Sequence, residues 1–207
     1  MNDGNTPHGG LLPADQLRKW ESQPQNALIK PAKLCVDDRE VPCIILNASA
    51  EVVRAKIFVE IPPHRKLCLE LASGDRVEVV LVWQTADQAG FFLVESSDAR
   101  KITAGPAKTK ARGLRMRVSG DVLLHTRSRP VAAEVVDLSQ QGAGIICSSS
   151  LVQGEIVKFE AAGIGSIGAR VRWSNHPRYG LLFDQVFTLA NLASFCLGMQ
   201  QNRRSLG

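Results

Sequence analysis

The apolar positions along the chain come in short runs, without long amphipathic stretches. Val77, Val79, Leu81 and Trp83 fall at every second position, and so do Ile167, Ala169, Val171 and Trp173. Period-two alternation over segments bounded by Gly, Asp, Asn and Pro predicts half-buried β-strands. Several such strands at short spacing, with no helical period between them, predict small antiparallel barrels. Trp83 and Trp173 share the apolar phase of their strands, so both are expected in a core.

These two segments lie 90 positions apart, and the same shift relates other features. It aligns Val41 with Val131, Ser49 with Ser139, Glu70 with Glu160, Trp83 with Trp173 and Gly90 with Gly180. Asn47 falls on Asp137. In both copies an apolar run leads into Asn/Asp-x-Ser, and a glycine opens a second run, Gly90-Phe91-Phe92-Leu93 or Gly180-Leu181-Leu182-Phe183. The chain thus reads as an all-β tandem of two small antiparallel barrels. The first spans 26–97 and the second 112–187; a linker occupies 98–111, where Gly105-Pro106 breaks the pattern. Residues 1–25 read as a tail, with a short helix over Ala14–Ser22. Beyond the second barrel, Thr188 caps a helix running to about residue 200. Leu189, Leu192, Phe195, Cys196 and Met199 share one face of it, suited to cover a barrel end or an oligomer contact.

Charge separates the two halves. Residues 1–100 carry 11 basic and 14 acidic side chains; residues 101–207 carry 14 and 6. Eight of those 14 basic residues lie between Lys101 and Arg129, which suggests an anionic partner or a solvated linker. A nucleic-acid binder would interleave aromatics with such a patch. That stretch has no Phe, Tyr or Trp. No apolar run approaches the ~20 residues that span a bilayer, and the N-terminus lacks the order of a secretory signal, so a cytoplasmic protein is expected.

Five cysteines without a Cys-x-x-Cys pair argue for free, mostly buried thiols rather than disulfides or a zinc site. The four histidines are scattered. No nucleophile–base pair, metal cluster or paired carboxylate motif suggests an enzyme. Gly163-Ile-Gly165-Ser-Ile-Gly168 imitates half of a dinucleotide fingerprint, but a strand follows it instead of a helix.

One constellation remains. Asp137-Leu-Ser139-Gln-Gln-Gly142 closes the second strand of the second copy, and Arg112, Arg115 and Arg117 precede its first strand. With the Trp173 strand and Gly180-x-x-Phe183, this resembles the PilZ domain, whose pattern is Arg-x-x-x-Arg followed by Asp/Asn-x-Ser-x-x-Gly. The resemblance implies six strands in each barrel and a receptor for cyclic di-GMP, without cofactor or metal. It also implies a protein target in motility, secretion or polysaccharide synthesis. Arg112, Arg115, Arg117, Asp137, Ser139 and Gly142 would form the site, with Arg170 and Arg172 extending it. The family's first arginine falls on Gly113 here. Either Arg112 takes its place or the grip is weakened, and the alternative is an interaction module that has lost the nucleotide.

The chemistry of these residue types suits the ligand. Arginine donates paired hydrogen bonds to phosphate or to guanine O6 and N7, and stacks on the base. Asp137 accepts from a guanine N–H edge, Ser139 donates or accepts, and Gly142 permits close backbone approach or positive φ. The alternative for Asp137-x-Ser139 is a side-chain-bonded turn that closes a strand without ligand. In the first copy Ser22, Gln25 and Ala27 replace the arginines and Val52 replaces Gly142, so that copy is expected not to bind.

Overall fold

The computed structural model describes residues 26–37, 39–63, 67–104 and 113–202. The chain divides into two units after Leu114. In the first, the strands are β1 (Asn26–Val36), β2 (Arg39–Ala48), β3 (Val52–Lys56), β4 (Leu67–Leu71), β5 (Arg76–Gln84) and β6 (Gln88–Leu93). They close into a barrel in the order β1-β2-β3-β6-β5-β4. In the second, β7 (Arg115–His125), β8 (Pro130–Ser139), β9 (Gly142–Ile146), β10 (Ile156–Ala161), β11 (Gly165–Asn175) and β12 (Arg178–Phe183) close in the order β10-β11-β12-β9-β8-β7. Both are antiparallel barrels, as the alternation predicts, and each has six strands, as the resemblance implies. Closure removes the free strand edges that would otherwise invite association.

Each interior is filled by the alternating apolar set. Leu34, Ile45, Leu69 and Phe91 are fully buried in the first barrel, and Leu124, Leu138, Ile145 and Phe159 in the second. The half-fingerprint of glycines is a hairpin: Gly163 and Gly165 have φ of 79° and 78° at the turn from β10 to β11. Each barrel carries three β-bulges, again 90 positions apart. They lie between Ala27 and Lys30, Ile45 and Asn47, and Leu81 and Trp83. Their counterparts lie between Arg117 and Gly120, Val135 and Asp137, and Val171 and Trp173.

A bulge adds one residue to one strand and so reverses which face later residues take. This overturns the expectation for Trp173. Ile167, Ala169 and Val171 point inward, but after the bulge Trp173 is outward and 41% exposed. The same irregularity sends both Arg172 and Trp173 to the exposed side.

Two helical segments flank the second half of the chain. Ser96–Asp98 form a 3-10 turn leading into α1 (Ala99–Thr103). Ile102 is fully buried there, and the Lys30 ammonium donates to the carbonyl oxygens of Ile102, at 2.7 Å, and Ala104. The start of the stretch expected as linker is therefore held to the first barrel, while residues 105–111 lie outside the described residues. So does the expected helix at 14–22.

The helix α2 (Leu189–Asn202) begins as its cap predicts: the Asn191 amide donates to Thr188 Oγ1 at 3.1 Å. Leu192, Cys196 and Met199 are buried. A line of rings joins barrel to helix, with centroid spacings of 5.4 Å for Phe159–Phe183, 5.3 Å for Phe183–Phe187 and 4.9 Å for Phe187–Phe195. No described helix is long and apolar enough to cross a membrane.

Candidate ligand-binding face

The bulges assemble a cross-strand row on the outside of the second barrel. Trp173 is opposite Gly180, Gly180 opposite Gly144, Gly144 opposite Asp137, and Asp137 opposite Arg117. Asp137 belongs to this face because a bulge separates it from buried Val135, while Leu138 returns to the core. A second row runs beside it, Arg115–Ser139–Gly142–Leu182–Arg170–Ile156. The face therefore gathers Arg115, Arg117, Asp137 and Arg170 from β7, β8 and β11, although they span 56 positions of sequence.

Two glycines make the first row possible. A Cβ at Gly144 would stand 2.3 Å from Asp137 Oδ2, and one at Gly180 would stand 2.0 Å from Trp173 Nε1. The carboxylate and the indole thus lie flat across backbone that has no side chains. Gly142 is required for a different reason: its Cβ would meet the Leu181 carbonyl oxygen at 2.0 Å. Of the two roles expected for Gly142, close backbone approach is the one it plays.

Polar contacts order the face. Arg115 Nη1 donates to Asp137 Oδ1 at 2.8 Å, with both side chains partly exposed. Arg115 and Arg117 lie within β7 rather than ahead of the first strand, and Arg117, directly across from Asp137, is exposed. The hydroxyl of buried Ser139 donates to the Gly142 carbonyl at 3.1 Å and accepts from the Gln141 amide at 3.4 Å. It therefore shapes the turn from β8 to β9. Arg170 Nη1 donates to the Gly154 carbonyl at 3.2 Å, and Arg172 projects from the bulge. Arg112 lies outside the described residues.

Sequence reasoning missed Gly144, Leu182 and the outward role of Trp173. A signal existed for the tryptophan: Trp and Gly recur seven residues apart in both copies, the spacing of a cross-strand Trp–Gly pair. Gly144 had none of that kind, because its counterpart is Arg54.

The PilZ domain family matches residues 109–196. No curated protein matches the chain. Among solved structures it is similar to PlzA of Borreliella burgdorferi in complex with c-di-GMP, at 10% identity and TM-score 0.35, covering 89% of this chain and 97% of that one. It is also similar to Escherichia coli YcgR in complex with c-di-GMP, at 13% identity and TM-score 0.34, covering 97% and 93%. Bacillus subtilis MotI/DgrA, an inhibitor of motility, gives 12% identity and TM-score 0.36, covering 86% and 99%. With the arginine-bearing first strand, the Asp-x-Ser-x-x-Gly turn and the six-stranded barrel all in place, residues 109–196 form a PilZ domain.

Proposed function

We propose that the PilZ domain binds cyclic di-GMP on the face bearing the two rows, and that the protein is a non-catalytic receptor for that nucleotide. The observation that supports this best is the Arg115–Asp137 pair, 2.8 Å apart on an open barrel face and flanked by Arg117. It sets cationic forks and a carboxylate acceptor side by side. Guanine needs that combination, since O6 and N7 accept while N1 and N2 donate. Arg112, Arg115 and Arg117 take the phosphates and one guanine edge, and Asp137 takes the donors. Ser139 and Gly142 hold the turn, and Arg170 and Arg172 extend the cationic surface. Binding changes the inter-domain arrangement or the surface offered to a protein target in motility, secretion or polysaccharide synthesis.

Isothermal titration of the full chain tests this. The wild type is expected to bind, and Arg115→Ala to weaken binding by about tenfold or more, or ~1.4 kcal/mol. No heat with cyclic di-GMP at tens of micromolar would remove the reading. Gly113, standing where the pattern has arginine, favours a second one: a PilZ-fold interaction module without nucleotide. That reading expects partner capture to be indifferent both to the nucleotide and to Asp137→Ala.

A further inference from the structure

The first barrel carries two cysteines that ligand binding does not use. Cys35 on β1 and Cys68 on β4 are direct cross-strand partners, and both are free thiols. Directly opposed residues on antiparallel strands have Cα atoms about 4.5 or 5.5 Å apart, depending on their place in the ladder. Both spacings lie within the range of about 4.4–6.8 Å found for disulfides. Opposed side chains also leave the sheet on the same face, so the two sulfurs project together.

Arg76, on β5 beside β4, lies near both sulfurs, and Cys68 and Cys35 favour its charged form. Access to the sulfurs is unequal. Cys68 is half-buried, whereas Cys35 is 4% exposed and burial pushes its thiol up to about 11. Cys68 is therefore the sulfur that a solute meets first. Cys43 is a poorer partner, because it faces the interior opposite Ala32. The carboxylates beside Cys35 are already engaged: Lys33 Nζ lies 3.2 Å from Glu40 and 2.7 Å from Glu70.

We propose that Cys35 and Cys68 are a redox-active dithiol that a hydroperoxide converts to a cross-strand disulfide. Cys68 sulfur attacks the hydroperoxide, the O–O bond breaks, and the alcohol leaves with one proton, giving a sulfenic acid. Cys35 sulfur then attacks Cys68 sulfur, the S–O bond breaks, and the hydroxide leaves as water with the Cys35 proton. Two thiols and one hydroperoxide thus yield one disulfide, one alcohol and one water. Arg76 stabilises whichever sulfur carries negative charge.

Treating the full chain with hydrogen peroxide, alkylating it in denaturant and mapping the peptides tests the assignment. Three of the five cysteines should alkylate, with a Cys35–Cys68 linked peptide that disappears on reduction. Cys68→Ser should retain all four of its thiols, and Arg76→Gln should slow bridge formation by about tenfold. Five alkylated cysteines after peroxide would overturn the proposal. So would a bridge through Cys43, or over-oxidised Cys68 beside an alkylatable Cys35.

Discussion

Where the second barrel has Gly144, the first has Arg54. Arg54 Nε donates to Gln88 Oε1 at 2.7 Å, and the guanidinium carbon lies 5.9 Å from the centre of the Trp83 ring. Trp83 is 9% exposed, against 41% for its counterpart Trp173. Val52, in the place of Gly142, packs with Val82, Trp83 and Phe92. The row across the first barrel reads Trp83–Gly90–Arg54–Asn47–Ala27, where the second reads Trp173–Gly180–Gly144–Asp137–Arg117. Strand order, bulges and the turn serine are the same, yet one face is closed by its own side chains and the other is open and charged. The turn serine matters to this comparison. Ser49 Oγ accepts from the Glu51 and Val52 amides in the barrel that has lost the arginines, so this serine serves the fold first.

The largest test of the contrast is the tryptophan pair. Trp83→Ala empties a buried site and should cost the first barrel about 3–5 kcal/mol, whereas half-exposed Trp173→Ala should cost the second about 1–2 kcal/mol. Urea unfolding followed separately for each barrel reads both, and equal costs would break the comparison. Next, Gly144→Arg copies the closed face onto the open one. Its Cβ collides with Asp137, and cyclic di-GMP affinity should fall more than about 100-fold, or ~2.7 kcal/mol, with the barrel still folded by circular dichroism. Retained affinity would show that the face is not the site.

Alkaline pH should separate the barrels less strongly. Burial raises Cys35 to about 11 and Cys43 to about 12, both above the ordinary thiol value. The folded state therefore holds these protons longer than the unfolded chain. Stability of the first barrel is intact below pH ~9 and declines as pH rises from there towards 11 or 12, by at most about 1.4 kcal/mol per pH unit for each thiol. A urea midpoint for the first barrel that is no lower at pH 10 than at pH 8 would contradict this. The smallest effect is expected at Asn47, whose Oδ1 is buried without a hydrogen-bond partner among the described residues. Asn47→Ala removes that unsatisfied atom and should change stability by less than about 1 kcal/mol. A larger loss would mean that Asn47 holds the face together.

Much of this was legible along the chain. Alternation marked the strands, the 90-residue shift marked the tandem, and Asp137-x-Ser139-x-x-Gly142 with Arg115 and Arg117 marked the face. Thr188 marked the start of the last helix. What misled was strict alternation itself. Counting by twos carries Trp173 into the core, and only the bulge after Val171 turns it out.

Residue order alone determined which residues alternate, where the turns fall, that the fold repeats and which half holds the arginines. Those are local or periodic properties, set by side-chain type and spacing. Tertiary structure decided which residues lie side by side. A cross-strand row joins one residue from each of five strands, and its register depends on where the bulges slip the ladder. Hence Gly144 and Gly180 are revealed as the floor beneath Asp137 and Trp173, and Cys68 as the neighbour of Cys35, only once the barrels have closed.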